Sequence, residues 1–402
     1  MNLKIYAKTI EDSAKQQINT LLEQEPFKNA KVRIMPDVHS GKGCVIGFTS
    51  EFKDRIIPNI VGVDIGCGVI VASLGNIDID YEKLDKFIKE NIPVGTDVHK
   101  TIIQISSTQY YHKLYSLNCY KQLYDVDRII KSIGTLGGGN HFIEIDEDDE
   151  GGKYLIVHTG SRNLGKQVAE IYQQKATDKF YKESVKNKID TTIKELKAQG
   201  REKEIESTIK NIKEHYVATN IPKELCYLEG QDAQDYLHDM HICQEYAKIN
   251  RRYILDCVAH FLNIDIVNNY FESVHNYIDL KSNIIRKGAI SAYKDEKVII
   301  PLNMKDGCIL GIGKGNDDWN NSAPHGAGRL MSRNEARRDL KVDDFKKAMS
   351  GIYTTTADET TIDESPMAYK NAKEIIETIK DTVEIKKLIK PIYNFKASER
   401  VK

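Results

Sequence analysis

Residues 56–74 read IIPNIVGVDIGCGVIVASL: two apolar runs around a turn that holds three glycines, Asp64 and Cys67. That order predicts strand, glycine-rich turn, strand. A glycine lets the backbone take positive φ or approach another group closely, so the turn, not the strands, is the place for chemistry. The pattern already occurs upstream in VRIMPDVHSGKGCVIGF (residues 32–48). Further on, HFIEI (141–145) and KYLIVH (153–158) bracket DEDDEGG (146–152), which predicts a hairpin with a solvated acidic tip.

Composition shifts over about 165–252, where Lys, Glu and Ala accompany apolar residues at helical spacing. Two long helices are expected there, then a third over residues 232–262. Strands resume with YFESVHNYIDL (270–280) and KVIIPLNM (297–304). A short charged helix is expected over Tyr81–Glu90, one over RLMSRNEARRDL (329–340), and another over Ala368–Ile379. The fold class is α+β: one domain over 1–402 with a mixed β-sheet body and a helical insertion at about 165–252.

The chain has 402 residues, a formal net charge of −1 and 29% charged residues, which argues against a polybasic coat or membrane binder. Any nucleic acid must therefore meet a local basic groove. Seven scattered cysteines, none in a Cys-x-x-Cys pair, suggest reduced thiols. The N-terminal residues lack a basic segment followed by an apolar run, and no stretch has the roughly 18 apolar residues of a membrane span. A cytoplasmic location is expected.

Five glycine-rich turns carry metal-type side chains: PDVHSGKG, GVDIGCG, GTLGGGNHFIE, VHTGSRNLG and PHGAGR. Asp64 and Cys67 lie in one turn, His141 starts a strand, and His158 and His275 end strands. One carboxylate, one thiolate and three imidazoles suit a dinuclear divalent-metal centre. Singly, any of the 11 histidines is more often structural. His99, His112, His215, His238, His241 and His260, which lack a glycine-turn setting, are read that way. His325 precedes an expected helix with Arg329 and Arg333 one turn apart inside it. That setting suits a phosphate-binding group, a general acid or a nucleophile, and spacing does not choose among them. GIGKGN (311–316) fits neither a Walker loop nor a dinucleotide fingerprint.

Taken in order, PDVHSGKG, GVDIGCG, GTLGGGNHFIE, HTGSR, VHNY, RKGAISA, GKGN and HGAGRLMSR resemble the RtcB family of RNA ligases, from about Met35 to Arg338 and more weakly beyond. The resemblance implies two manganese ions (Mn2+), one on Asp64, Cys67 and His141, the other on Cys67, His158 and His275, with Cys67 bridging. It implies that His325 takes up GMP covalently from GTP. Asn140, His141, Phe142, Ile143 and Glu144 then belong to the GTP site, with Glu144 on guanine. His275, Asn276, Pro301, Leu302, Asn303, Met304 and Cys308 are further members, as are Gly326, Ala327 and Gly328, and, late in the chain, Tyr369 and Lys396. Partners would be RNA with a 3′-phosphate or 2′,3′-cyclic phosphate, RNA with a 5′-hydroxyl, and an archease-like activator. Phosphate contacts are expected from Arg162 and Arg329, with Arg286, Lys287 and Arg333 as further candidates.

One segment departs from the family pattern. Where members usually read Pro-Gly-Ser-Met-Gly, this chain has PLNMKDGC (301–308), with Leu302, Asn303 and Lys305 for small residues and Cys308 where serine is common. Guanine selectivity is thereby in question. Affinity order alone favours zinc at thiolate and imidazole, so manganese follows from the resemblance only. Two other classes stay open: a phosphodiesterase that opens cyclic phosphates without joining ends, and a non-catalytic RNA-end binder.

Overall fold

The computed structural model describes residues 2–103, 109–216 and 219–398, which form fourteen strands. In chain order they are β1 (Asn2–Ile5), β2 (Lys31–His39), β3 (Ile46–Glu51), β4 (Gly68–Gly75) and β5 (Phe142–Glu147). Next come β6 (Lys153–Thr159), β7 (Tyr270–Val274), β8 (Asn276–Asp279), β9 (Ile284–Lys287) and β10 (Ala289–Ser291). The last are β11 (Lys297–Asn303), β12 (Gly307–Gly313), β13 (Ser322–Pro324) and β14 (Val383–Lys396). A seven-stranded antiparallel sheet has the order β11-β12-β14-β5-β6-β4-β7, and a five-stranded sheet the order β1-β2-β3-β9-β8. With the helices, this is an α+β architecture. No helix among the described residues is long and apolar enough to cross a membrane.

Strand alternation gives the large sheet two unlike faces. Ile70, Ala72, Ile143, Ile145, Leu155 and Val157 face one side, where Ile254, Leu255 and Val258 of the helix Gly230–Phe261 cover them. Val69, Val71, Phe142 and Ile156 face the other side, toward Ile299, Cys308 and Ile389. Phe142 stands opposite His158, so the hairpin puts His158 on that second face. The expected strand 270–280 breaks at His275: β7 stays in the large sheet and β8 joins the smaller one.

Several expectations need correction. Residues 58–61 form a short helix, Pro58–Val61, because Pro58 lacks a ladder donor and suits a first helical turn. The helix after His325 begins only at Arg333, where Ser332 and Glu335 form a capping box, so Arg329 lies outside it. The late helix starts at Ala372, capped by Asn371, because Tyr369 and Lys370 pair instead with Arg329 and Gly328. The acidic run 146–152 is not wholly a solvated tip: Asp146 and Asp148 are buried. Within 165–252, Ser184–Ala198 and Ile205–His215 pack on each other, whereas Gly230–Phe261 lies on the large sheet.

Two adjacent residues of that long helix tie the glycine-rich turns together. Buried Asn250 accepts from the Gly134 and Thr135 amides (2.7 and 3.1 Å) and donates to the Thr135 and Gly160 carbonyls and the Thr159 hydroxyl. Buried Arg251 donates to the Gly66 and Thr159 carbonyls (2.6 and 3.1 Å) and pairs with Glu272. These are the turns before Cys67, before His141 and after His158. Gly66 has φ +71, and a Cβ there would meet the Gln244 backbone of the same helix at 2.8 Å, so only glycine lets the turn sit so close.

Asn250→Ala leaves two amides and their neighbouring carbonyls unsatisfied in the interior. It should cost about 2–4 kcal/mol, read as a lower urea midpoint at unchanged slope. A loss below about 0.5 kcal/mol would contradict the tethering role.

Candidate active site

The Gly66 turn, the β5–β6 hairpin and the β7–β8 break converge on one point. Cys67 Sγ lies 3.5 Å from His141 Nε2 and 3.4 Å from His158 Nε2. His141 Nε2 is 3.0 Å from Asp64 Oδ2, and His158 Nε2 is 3.4 Å from His275 Nε2. The His141 Nδ1–H donates to the Leu136 carbonyl at 2.8 Å, which turns Nε2 toward Asp64 and Cys67. Burial holds His158 and His275 far below the ordinary histidine range, in the neutral form that ligates metals. Burial, and then Asp64, push the Cys67 thiol up, so its thiolate calls for a cation.

These groups fit metal ions better than they fit one another. Facing imidazole nitrogens and a thiol aim lone pairs at common points, and His275 Nδ1 is buried with no hydrogen-bond partner. A carboxylate, a thiolate and three imidazoles suit first-row divalent ions.

His325 stands beside this cluster, its ring centre 4.7 Å from that of His275. Its Nδ1–H donates to Oδ2 of buried Asp37 at 2.7 Å, and its backbone amide donates to the same oxygen at 3.2 Å. Nε2 is thus left free of this clamp. Gly328 (φ +77) packs so tightly on the Asp37 backbone that a Cβ there would overlap it. Asp37 lies in the PDVHSGKG turn, and its pairing with His325 spans 288 residues, which no local signal in the sequence reports.

A cavity of about 630 Å³ opens from this point, within the usual range for small-molecule sites. Asp64, Cys67, His158, His275, Asn276 and His325 line its inner end, with Asn140, Phe142 and Glu144 beside them. Pro301, Leu302, Asn303 and Met304 form one wall; Gly326, Ala327, Gly328, Tyr369 and Lys396 contribute another. Ile143 does not face it: alternation turns its side chain into the core, so any contact from Ile143 is through backbone. His141 lies behind Asp64 and Cys67, and Cys308 behind Glu144, 3.9 Å from its Oε1. The departing loop is accommodated by packing. Leu302 joins the cluster of Ile300 and Ile309, Met304 packs with Phe345 and Met349, and Asn303 closes the turn on the amides of Lys305 and Asp306.

Buried Glu364, absent from the sequence reading, organises the outer wall. It accepts from the Tyr369 hydroxyl (2.6 Å) and pairs with Lys396 (3.0 Å), Arg329 (3.2 Å) and Arg333 (3.4 Å). Burial pushes its carboxyl up, but Lys396, Arg333 and Arg329 outweigh burial and bring it down to about 2. Lys396 also donates to the Asn140 carbonyl and sits over the Phe142 ring. Among the expected phosphate contacts, Arg329 and Arg333 line the cavity. Arg162 instead reaches inward to Thr135 and the Gly95 carbonyl. Arg286 and Lys287 are corrected to structural residues: Arg286 is enclosed by Ser322, Tyr277 and Asp279, and Lys287 donates to the Lys42 and Asn59 carbonyls.

Cys67 touches both halves of the ligand cluster, so Cys67→Ser should lower metal content at both positions together, whereas His158→Ala should chiefly lower one. Metal per protein after dialysis checks this; undiminished metal in Cys67→Ser would remove the bridging role.

The family model described as tRNA-splicing ligase RtcB matches residues 19–122 and 118–397. The RNA-splicing ligase RtcB of Escherichia coli (strain K12) is 30% identical over 417 residues, covering 93% of this chain and 91% of that protein. The RNA-splicing ligase RtcB homolog 2 of Entamoeba dispar is 26% identical, covering 86% of this chain and 76% of that protein. With the match running through every turn that builds the cavity, the chain belongs to the RtcB family.

Proposed function

We propose that this protein is a GTP- and Mn2+-dependent RNA ligase acting in RNA repair or transfer-RNA splicing. It joins RNA ending in a 3′-phosphate or 2′,3′-cyclic phosphate to RNA beginning with a 5′-hydroxyl. One catalytic domain over 1–402 carries the site, and an archease-like protein serves as activator. The observation that supports this reading is the His325–Asp37 clamp: a buried carboxylate holds Nδ1 and leaves Nε2 available to act as a nucleophile beside the ligand cluster.

Asp64, Cys67 and His141 would hold one ion and Cys67, His158 and His275 the other. Bound there, the ions would offset phosphate charge and lower the pKa of a hydroxyl. His325 Nε2 gives its lone pair to the α-phosphorus of GTP, the bond to the bridging oxygen breaks, and pyrophosphate leaves. The ring becomes cationic in the N–P adduct, and the Asp37 carboxylate against Nδ1 offsets that charge. Where the RNA ends in a 2′,3′-cyclic phosphate, water first adds to the phosphorus and the bond to O2′ breaks, leaving a 3′-phosphate and a 2′-hydroxyl. An oxygen of the RNA 3′-phosphate then takes the guanylate, restoring neutral His325 and forming RNA(3′)pp(5′)G. The 5′-hydroxyl, giving up its proton to solvent, attacks the RNA phosphorus, the anhydride bond breaks, GMP leaves and the strands are joined. Glu144, Tyr369 and Lys396 are assigned to the guanine, Asn140 and the 326–328 turn to the phosphates, and Arg329 and Arg333 to the RNA.

Incubation with α-labelled GTP and manganese should label the protein on His325, and the bond should break in acid and survive mild alkali, as a phosphoramidate does. His325→Ala should fold and keep its metal yet take no label. A label that persists in His325→Ala, or maps to a lysine such as Lys314, would overturn the nucleophile and the mechanism built on it.

A further inference from the structure

Behind the base end of the cavity lies a second buried cluster. Glu144 and Asp146 are two apart on β5 and so share a face, and their carboxyl groups and Cys308 Sγ lie within 4.8 Å of one another. Glu144 lines the cavity with Asn394, whereas Asp146 and Cys308 do not. Asp146 thus sits behind Glu144.

The two carboxyls are supplied very differently. Burial pushes the Glu144 carboxyl up, but Asn394 Nδ2 donates to its Oε2, the Cys308 thiol donates toward Oε1, and the Lys396 ammonium opposes the rise. Neither oxygen of Asp146 has a hydrogen-bond partner, although the residue is fully buried. Its register explains the shortage. Opposite on β14 is Pro391, whose side chain carries no donor, and opposite on β6 is Tyr154, whose hydroxyl goes to Asp148. Two ionised carboxylates buried side by side repel, and an unpaired one is costly. One proton shared by the pair removes both penalties.

We propose that Asp146 is a positioning residue for nucleobase recognition: as a neutral acid it hydrogen-bonds Glu144 from behind and leaves Glu144 an ionised acceptor facing the cavity. Burial, and then the neighbouring Glu144, push the Asp146 carboxyl well above its usual range, in keeping with that assignment. The role rests on the guanosine reading above. Guanine offers its ring N–H and 2-amino group side by side, a match for one carboxylate. A protonated Glu144 would instead carry a donor of its own and lose this preference. Asp146 thereby supports the choice of purine without touching it.

The test compares binding of GTP, ITP and ATP to the full-length protein with Asp146→Asn and Asp146→Val, each checked for cooperative melting. ITP lacks the 2-amino donor. Wild type should favour GTP over ITP by roughly tenfold, about one hydrogen bond to a charged group. Asp146→Asn, which still donates, should keep that ratio; Asp146→Val should bring it toward one. Infrared difference spectra of wild type against Asp146→Asn should show the carbonyl stretch of a protonated carboxyl at neutral pH, a readout that holds even if Asp146→Val fails to fold. Absence of that band, or wild-type ratios in both variants, would overturn the role of Asp146 alone. So would stoichiometric zinc lost in Cys308→Ala, which would make the cluster a metal site. A wild type that binds GTP no better than ATP would overturn the guanosine reading and this role with it.

Discussion

The hydrogen bonds of Asn250 and Arg251 are the constraint on which the site depends. Glycine turns give the ligands room to meet but do not hold them there, since each glycine adds backbone freedom that folding must remove. Asn250 meets the amide pair of Gly134 and Thr135, the Thr135 and Gly160 carbonyls and the Thr159 hydroxyl, and Arg251 reaches the Gly66 carbonyl. The long helix therefore serves as a ruler against which three separate loops are aligned. Its apolar residues cover one face of the large sheet while these two polar ones organise the loops at the sheet's end.

The resulting site separates charge into distinct roles. Burial keeps His158 and His275 neutral, so their lone pairs are available to cations. Asp37 fixes the orientation of His325, and Glu364 gathers Lys396, Arg329 and Tyr369 along the outer wall. In each case a buried carboxylate positions a cationic or titratable group, which costs less than leaving either charge alone.

The sequence was informative where function is concentrated in turns. Asp64, Cys67, His141, His158, His275 and His325 stand out because glycine and a ligating side chain coincide, and the fold brings all six together. Residues whose meaning depends on a distant partner were silent. Asp37 sits in a quoted motif, yet its role exists only once the segment carrying His325 folds against it. Glu364 and Asn394 belong to segments without glycine signals, and Asp146 was hidden in an acidic run that resembles a solvated loop. β14 was missed because lysines and Pro391 obscure its alternation, though it pairs with both β12 and β5. Arg286 and Lys287 misled in the opposite direction: a basic residue near a motif looked available to phosphate, while the fold uses both to satisfy buried carbonyls and hydroxyls.

The central claim is that one cavity both accepts a nucleotide on His325 and joins RNA ends. The most direct measurement supplies end-labelled RNA bearing a 3′-phosphate, a second RNA bearing a 5′-hydroxyl, manganese, and GTP or ATP, and resolves the products on a denaturing gel. The account predicts a joined strand with GTP and wild-type protein, and none with His325→Ala. Opening of a 2′,3′-cyclic phosphate with no joined product, or joining that survives His325→Ala, would contradict it.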